Sequence, residues 1–275
     1  MPTPPLAPEP RARTLALLVE YDGSDYHGFQ RQTNHRTVAG ELERALSTLL
    51  RHPVTLVAAG RTDAGAHATG QVVSFETTTD VSLERLPIAA SAVLAQSGIA
   101  VLRAVEREAG FSARHHALAR RYRYRILNRV APSPLLRRRV FHVRARLDLD
   151  AMRAAAAQLI GRHDFAAFSA GPAHERGTVR ELRALEIARA GESIDVIVTA
   201  DSFLHRMARL IVGTLLDVGR GRRDADDVAA MLASGKRTHA GACAPAHALY
   251  LEYVEYAPPI AAETNRPPTN YERLP

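Results

Sequence analysis

The chain has 275 residues, 46% of them hydrophobic and 24% charged, a globular balance that excludes disorder throughout and leaves room for one large domain or two ordinary ones. Its 36 Lys+Arg against 29 Asp+Glu give a net charge of +7, and Lys236 is the only lysine; the planar guanidinium fork suits phosphate and base stacking, so a polyanionic partner is expected before a membrane surface. A single cysteine, Cys243, excludes a disulfide framework and cysteine-built zinc or iron–sulfur centres, and the longest charge-free stretch, 86–102, is broken by Pro87, Gln96 and Gly98, so no membrane span or leader is expected and a cytoplasmic location fits.

Ten of the 16 prolines fall in residues 1–10 and 257–275, which predicts flexible tails at 1–13 and 257–275 around a folded part that divides into halves at 14–110 and 111–256. The apolar run 14–21 predicts a strand. Over 37–50, Val38, Leu42, Ala45, Leu46, Leu49 and Leu50 share one stripe and predict an amphipathic helix. Strands at 54–59 and 71–76 follow, separated by a glycine-rich loop, then a helix at 83–95 and a strand at 99–107. The second half begins with a strand at 119–127 and a helix at 149–160, capped by Asp148 and ended by Gly161. Strands at 179–189 and 193–200, helices at 203–218 and 224–234, and a strand at 248–256 complete it. The order β-α-β-β-α-β thus occurs twice, one helix being extra. The expected architecture is α+β: two ferredoxin-like halves forming a mixed sheet with flanking helices and a central basic cleft where they meet.

Three segments carry chemistry. Residues 111–146 hold 11 arginines and no Asp or Glu. On the strand within them, alternation puts Tyr122, Tyr124 and Ile126 on one face and Arg121, Arg123 and Arg125 on the other; this is either a surface that stacks bases and clamps phosphates or a half-buried strand with tyrosine inside and arginine in solvent. The second segment, Gly60 to Gln71, holds Asp63 at the tip of a glycine loop with Arg61 two residues away. Such an aspartate is a turn residue or a reactive carboxylate held where a large substrate can approach. His67 and other histidines offer possible metal ligands, but no His-x-x-x-His pair or His-Glu-x-x-His helix occurs, and no metal site is expected. In the third segment, the 203–218 helix, Arg206 and Arg209 interrupt an apolar stripe. Each is a snorkelling surface residue unless a buried carboxylate awaits it, and Asp63 is a candidate.

Together and in this order, these segments resemble the tRNA pseudouridine synthase A family. The likeness covers nearly all of 14–256 and rests on Tyr21-Asp22-Gly23, Gly28 to Gln32, Arg61-Thr62-Asp63 through Gln71, Phe111 to Arg114, Arg121 to Tyr124, Gly161 to Phe165 with Phe168, and Phe203-Leu204 through Gly213. It departs at Ser91–Gly98, Ala66, Ala208 and Ala248. The resemblance implies the pseudouridine synthase fold and isomerisation of uridine to pseudouridine at positions 38, 39 and 40 in the anticodon arm of tRNA. It further implies a homodimer in which one tRNA contacts both subunits, and no cofactor or metal. Because no water is consumed, one carboxylate suffices, where a glycosidase needs an acid and a nucleophile. The resemblance makes Asp63 the catalytic aspartate, with attack on the sugar, addition to the base and removal of a sugar proton all open to it. Arg209 would pair with Asp63, Tyr122 would pack on the extruded uracil, and Arg61 would enter the stem as the nucleotide leaves. Arg114, Arg121, Arg123 and His67 would contact the substrate. The competing classes are a catalytically silent RNA-binding protein using the same groove and a metal-dependent phosphodiesterase built on the histidines.

Overall fold

The computed structural model describes residues 12–171 and 177–260. The first half contains β1 (Arg13–Tyr21), α1 (Val38–Leu50), β2 (Val57–Ala58), β3 (His67–Thr77), α2 (Arg85–Val93) and β4 (Ile99–Arg107). The second contains β5 (Ala119–Leu127), β6 (Phe141–His142), α3 (Leu149–Ala157), β7 (Gly161–Asp164), β8 (Val179–Ala190), β9 (Ser193–Ala200), α4 (Met207–Gly219), α5 (Asp227–Ser234) and β10 (Leu249–Glu255). Local chemistry sets several of these boundaries. The Thr37 hydroxyl accepts from the Gly40 amide at the start of α1, and Asp148 accepts from the amides of Asp150 and Ala151 at the start of α3, each satisfying donors that a helix leaves open.

All the strands join one sheet in the order β4-β1-β3-β10-β5-β9-β8-β7, with β2 on β3 and β6 on β5. Each half has the same internal order, β4-β1-β3-β2 and β10-β5-β9-β8, which is the twofold ferredoxin-like repeat expected. The seam follows from the shortness of β2. It covers β3 only at Val73 and Ser74, leaving His67 and Ala68 to pair in parallel with Tyr250 and Leu251 of β10. There the backbones come so close that a Cβ on Gly70 would stand 2.1 Å from the Glu252 carbonyl oxygen, room that only glycine leaves.

Through the pairings, one sheet face carries Tyr21, Ala68, Leu251, Tyr122 and Val198 in a row across the seam. Its residues pack with α1 to α5 into one hydrophobic core, the term that drives a fold of this kind. Three expectations need correction. The helix expected from 203 starts at Met207, because Arg206 has φ +61° and Phe203–Arg206 form a loop. The 54–59 strand shrinks to two residues, since 54–56 pass β3 without pairing. Arg13, placed in the expected N-terminal tail, begins β1, and Ile260, placed in the C-terminal one, is buried; most of both tails lies outside the described residues.

Candidate active site

Asp63 sits in the loop between β2 and β3, held by contacts from three directions. The amide of Phe29 donates to Thr62 O (3.0 Å) and that of Gly65 to Tyr26 O (3.2 Å). The Tyr21 and Thr62 hydroxyls share a buried hydrogen bond of 2.8 Å, and the Gln71 amide donates to Gly60 O at 2.7 Å. Gly28 makes the close approach possible: its φ is +93°, and a Cβ there would stand 2.9 Å from the Thr62 oxygen. The result is a loop whose main chain is braced on both sides of Asp63, which preorganises the carboxylate.

Arg209, in the first turn of α4, reaches across from the other half. Its Nε donates to Ala244 O (2.7 Å), and its Nη1 donates to Asp63 Oδ2 in a short ion pair. The second oxygen, Oδ1, lies 3.9 Å from His205 Nε2. The Asp63 side chain is 23% exposed, against 13% for Arg209, so the guanidinium fills the inner side of the carboxylate and leaves its outer side to solvent. Tyr122 lines the same cleft, its ring edge-on to Phe203 with centroids 4.8 Å apart. Burial pushes the Tyr122 phenol up to about 12, with Arg120 opposing and the Asp63 charge adding to the rise, so the hydroxyl stays neutral at any working pH.

The cleft measures about 810 Å³ and its walls carry seven arginines, Arg61, Arg114, Arg120, Arg162, Arg180, Arg206 and Arg209, against two acids, Asp63 and Asp201. The side chains of Arg61, Arg114, Arg162 and Arg206 are exposed and have no carboxylate partner among the described residues. Four such cations around one opening have the charge and reach that a phosphate backbone requires. No three His, Cys, Asp or Glu side chains among the described residues cluster closely enough to hold a metal ion.

The structure therefore brings Asp63, Arg209, Tyr122, Arg61 and Arg114 together. It does not bring Arg121, Arg123 or His67 to the cleft. Arg121 and Arg123 leave β5 on the face opposite Tyr122, as strand alternation requires. Arg123 is held there by Asp195 (2.5 Å) and Glu252 (2.6 Å), and Arg121 lies over the Tyr253 ring at 5.9 Å. His67 points to that face too and is buried, stacked on Tyr250 at 4.7 Å and within 3.0 Å of Asp22, with Nε2 on the carbonyls of Arg138 and His247. It ties loops together and touches no open surface. Sequence reading missed Arg120, Arg162, Arg180, Phe203 and His205. For Arg120 a signal existed, because alternation from Tyr122 assigns residue 120 to the same face.

The tRNA pseudouridine synthase family model matches residues 17–114 and 155–257. Among curated proteins, the chain is 47% identical over 243 residues to the tRNA pseudouridine synthase A of Methylobacterium sp. strain 4-46, covering 88% of this chain and 97% of that one. It is 40% identical over 244 residues to the protein of that name from Acetivibrio thermocellus, covering 89% and 100%. With the Caulobacter vibrioides protein of that name it shares 44% over 240 residues, covering 87% and 97%.

Proposed function

Because the chain belongs to the tRNA pseudouridine synthase family, we propose that it isomerises uridine to pseudouridine in the anticodon arm of tRNA, at positions 38, 39 and 40. It works as a cytoplasmic homodimer without cofactor or metal. The observation that carries this reading is the Asp63–Arg209 ion pair beside Tyr122, in a cleft where Arg61, Arg114, Arg162 and Arg206 have no acidic partner among the described residues.

In the reaction the C1′–N1 glycosidic bond breaks, the uracil turns, and a C1′–C5 bond forms; the proton lost from C5 is balanced by the one N1 gains, and water does not enter. The outer side of the Asp63 carboxylate faces the ribose and base of an extruded nucleotide and acts as nucleophile or base. Arg209 fixes its orientation and offsets its charge. The neutral Tyr122 ring packs against the uracil, while Arg61, exposed one loop position from Thr62, fills the space the nucleotide leaves in the stem. Arg114, Arg162 and Arg206 hold phosphates on the two walls.

The test is to incubate the purified protein with unmodified tRNA transcripts and map pseudouridine along them, in parallel with Asp63→Asn. The wild type should modify the anticodon arm. The variant should lose about a thousandfold or more in rate while binding tRNA within a fewfold of wild type. Full turnover by the variant, or modification confined to another arm, overturns the reading.

A further inference from the structure

Arg120 is buried, 9% exposed, in the floor of the cleft. A buried guanidinium ordinarily meets a carboxylate; this one has none among the described residues. Its donors all go to main-chain carbonyls. Nε and Nη2 donate to Ala59 O (3.2 and 3.0 Å) and Nη2 also to Arg114 O (2.7 Å). Nη1 donates to Ala117 O (3.1 Å) and Asp201 O (2.8 Å).

Those four carbonyls belong to three separate segments, and each leads into the cleft. Ala59 immediately precedes Gly60 and the loop bearing Arg61 and Asp63. Arg114 and Ala117 lie in the connection between the halves, 108–118. Asp201 opens the loop that places Phe203 against Tyr122 and delivers Arg209 at the start of α4. The Asp63–Arg209 pair thus joins two segments that are bridged at their bases by one guanidinium. A planar fork with five donors can span three segments; an ammonium, whose donors radiate from one point, cannot.

We propose that Arg120 is a positioning residue of the isomerase: by joining the carbonyls of Ala59, Arg114, Ala117 and Asp201 it holds the Asp63 loop in register with the Phe203–Arg209 segment. The proposal rests on the activity proposed above. It separates two functions of the cleft. Phosphate contacts come from long, exposed side chains that tolerate small shifts of their base, whereas a misplacement of about 1 Å at a reacting group costs on the order of a hundredfold in rate. Loosening the staple should therefore damage chemistry and spare binding.

The experiment compares wild type, Arg120→Lys and Arg120→Met with Arg13→Lys. Arg13 binds Glu106, Asp80 and the Val81 carbonyl at the start of β1, away from the cleft, and serves as a control for loss of stability alone. For each protein three quantities are measured: melting temperature, tRNA affinity, and single-turnover pseudouridine formation at saturating tRNA, taken per folded molecule. Arg120→Lys should fall about a hundredfold in rate with tRNA affinity within about threefold of wild type, and Arg120→Met should fall further. Arg13→Lys should lose melting temperature without losing rate. A wild-type rate in Arg120→Lys overturns the proposal, as does a parallel loss of rate and affinity, or a chain that cannot fold with lysine at 120, which would assign the residue to stability alone. Absence of pseudouridine with the wild type would instead sink the proposed activity.

Discussion

At the scale of single residues, the two faces of β5 show how one strand divides its labour. Tyr122 enters the cleft, while Arg123, one residue on, neutralises Asp195 and Glu252 on the far face. Glu252 is nearly enclosed there, its side chain 8% exposed. Arg123→Ala would strand the Glu252 carboxylate, while Asp195 keeps Arg125 at 3.9 Å, and should cost about 3 kcal/mol in urea unfolding, with little effect on the rate per folded molecule. His67 gives a pH dependence. Burial lowers its pKa from the ordinary 6.5, with Asp22 and the carbonyls of His247 and Arg138 opposing. The unfolded chain therefore takes up the proton first, and stability present above pH 6.5 is lost as the pH falls from there toward the folded-state value. Urea titrations at about pH 7.5 and 5.5 should show the wild type losing more stability than His67→Gln across that window; equal losses would remove His67 as the source. The neutral Tyr122 phenol adds a kinetic expectation: the pH–rate profile should show no limb from a tyrosine ionisation between about pH 7 and 10.

At the scale of elements, the Asp63 loop is braced by contacts from several parts of the fold. Helix and strand positions are specified by period, but a loop is specified only by what it touches. Here the 26–29 turn, Tyr21, Gln71 and the Arg120 guanidinium all touch it. Gly28→Ala should disturb this bracing twice over, through its positive φ and through the Thr62 oxygen 2.9 Å from the new Cβ. The expected cost is about 1–2 kcal/mol in thermal unfolding, together with a lower rate, since the loop must shift to make room. The late start of α4 has the same logic. Arg206 in the left-handed region turns the chain so that Arg209 falls in the first helical turn, at the height of Asp63. The helix stripe at 207–218 was plain in the sequence, but a strained arginine has no pattern, and so the expected helix began too early.

At the scale of the whole molecule, the candidate site lies at the seam. Asp63 belongs to the first repeat and Tyr122 and Arg209 to the second, and the short β2 is what lets β10 dock on β3 and bring them together. Charge follows the same division. Arg61, Arg114, Arg162 and Arg206 on the cleft rim have no carboxylate partner among the described residues, whereas Arg121, Arg123 and Arg125 on the opposite face lie against acids or rings. Arg162→Ala and Arg206→Ala should each weaken binding to any RNA and reduce the slope of log affinity against log salt by about 1, whereas Arg121→Ala should leave that slope unchanged. Filter binding across a salt series measures this; a flattened slope for Arg121→Ala would place substrate on the far face as well.

The sequence by itself determined the repeated β-α-β-β-α-β order, most helix stripes and strand spans, the basic charge that suits a polyanionic partner, and, through its motifs, the carboxylate, the tyrosine and the arginine of the candidate site. These are local properties: periods of 2 and 3.6, capping residues, and short runs of defined chemistry, each readable without knowing what lies opposite. Only the tertiary structure decided which arginines face the cleft, that His67 is enclosed, and that Arg120 binds three segments at once. A guanidinium at residue 121 and one at residue 120 are chemically identical; what separates them is the partner each meets, and partners are brought together by the pairing of strands distant in the chain.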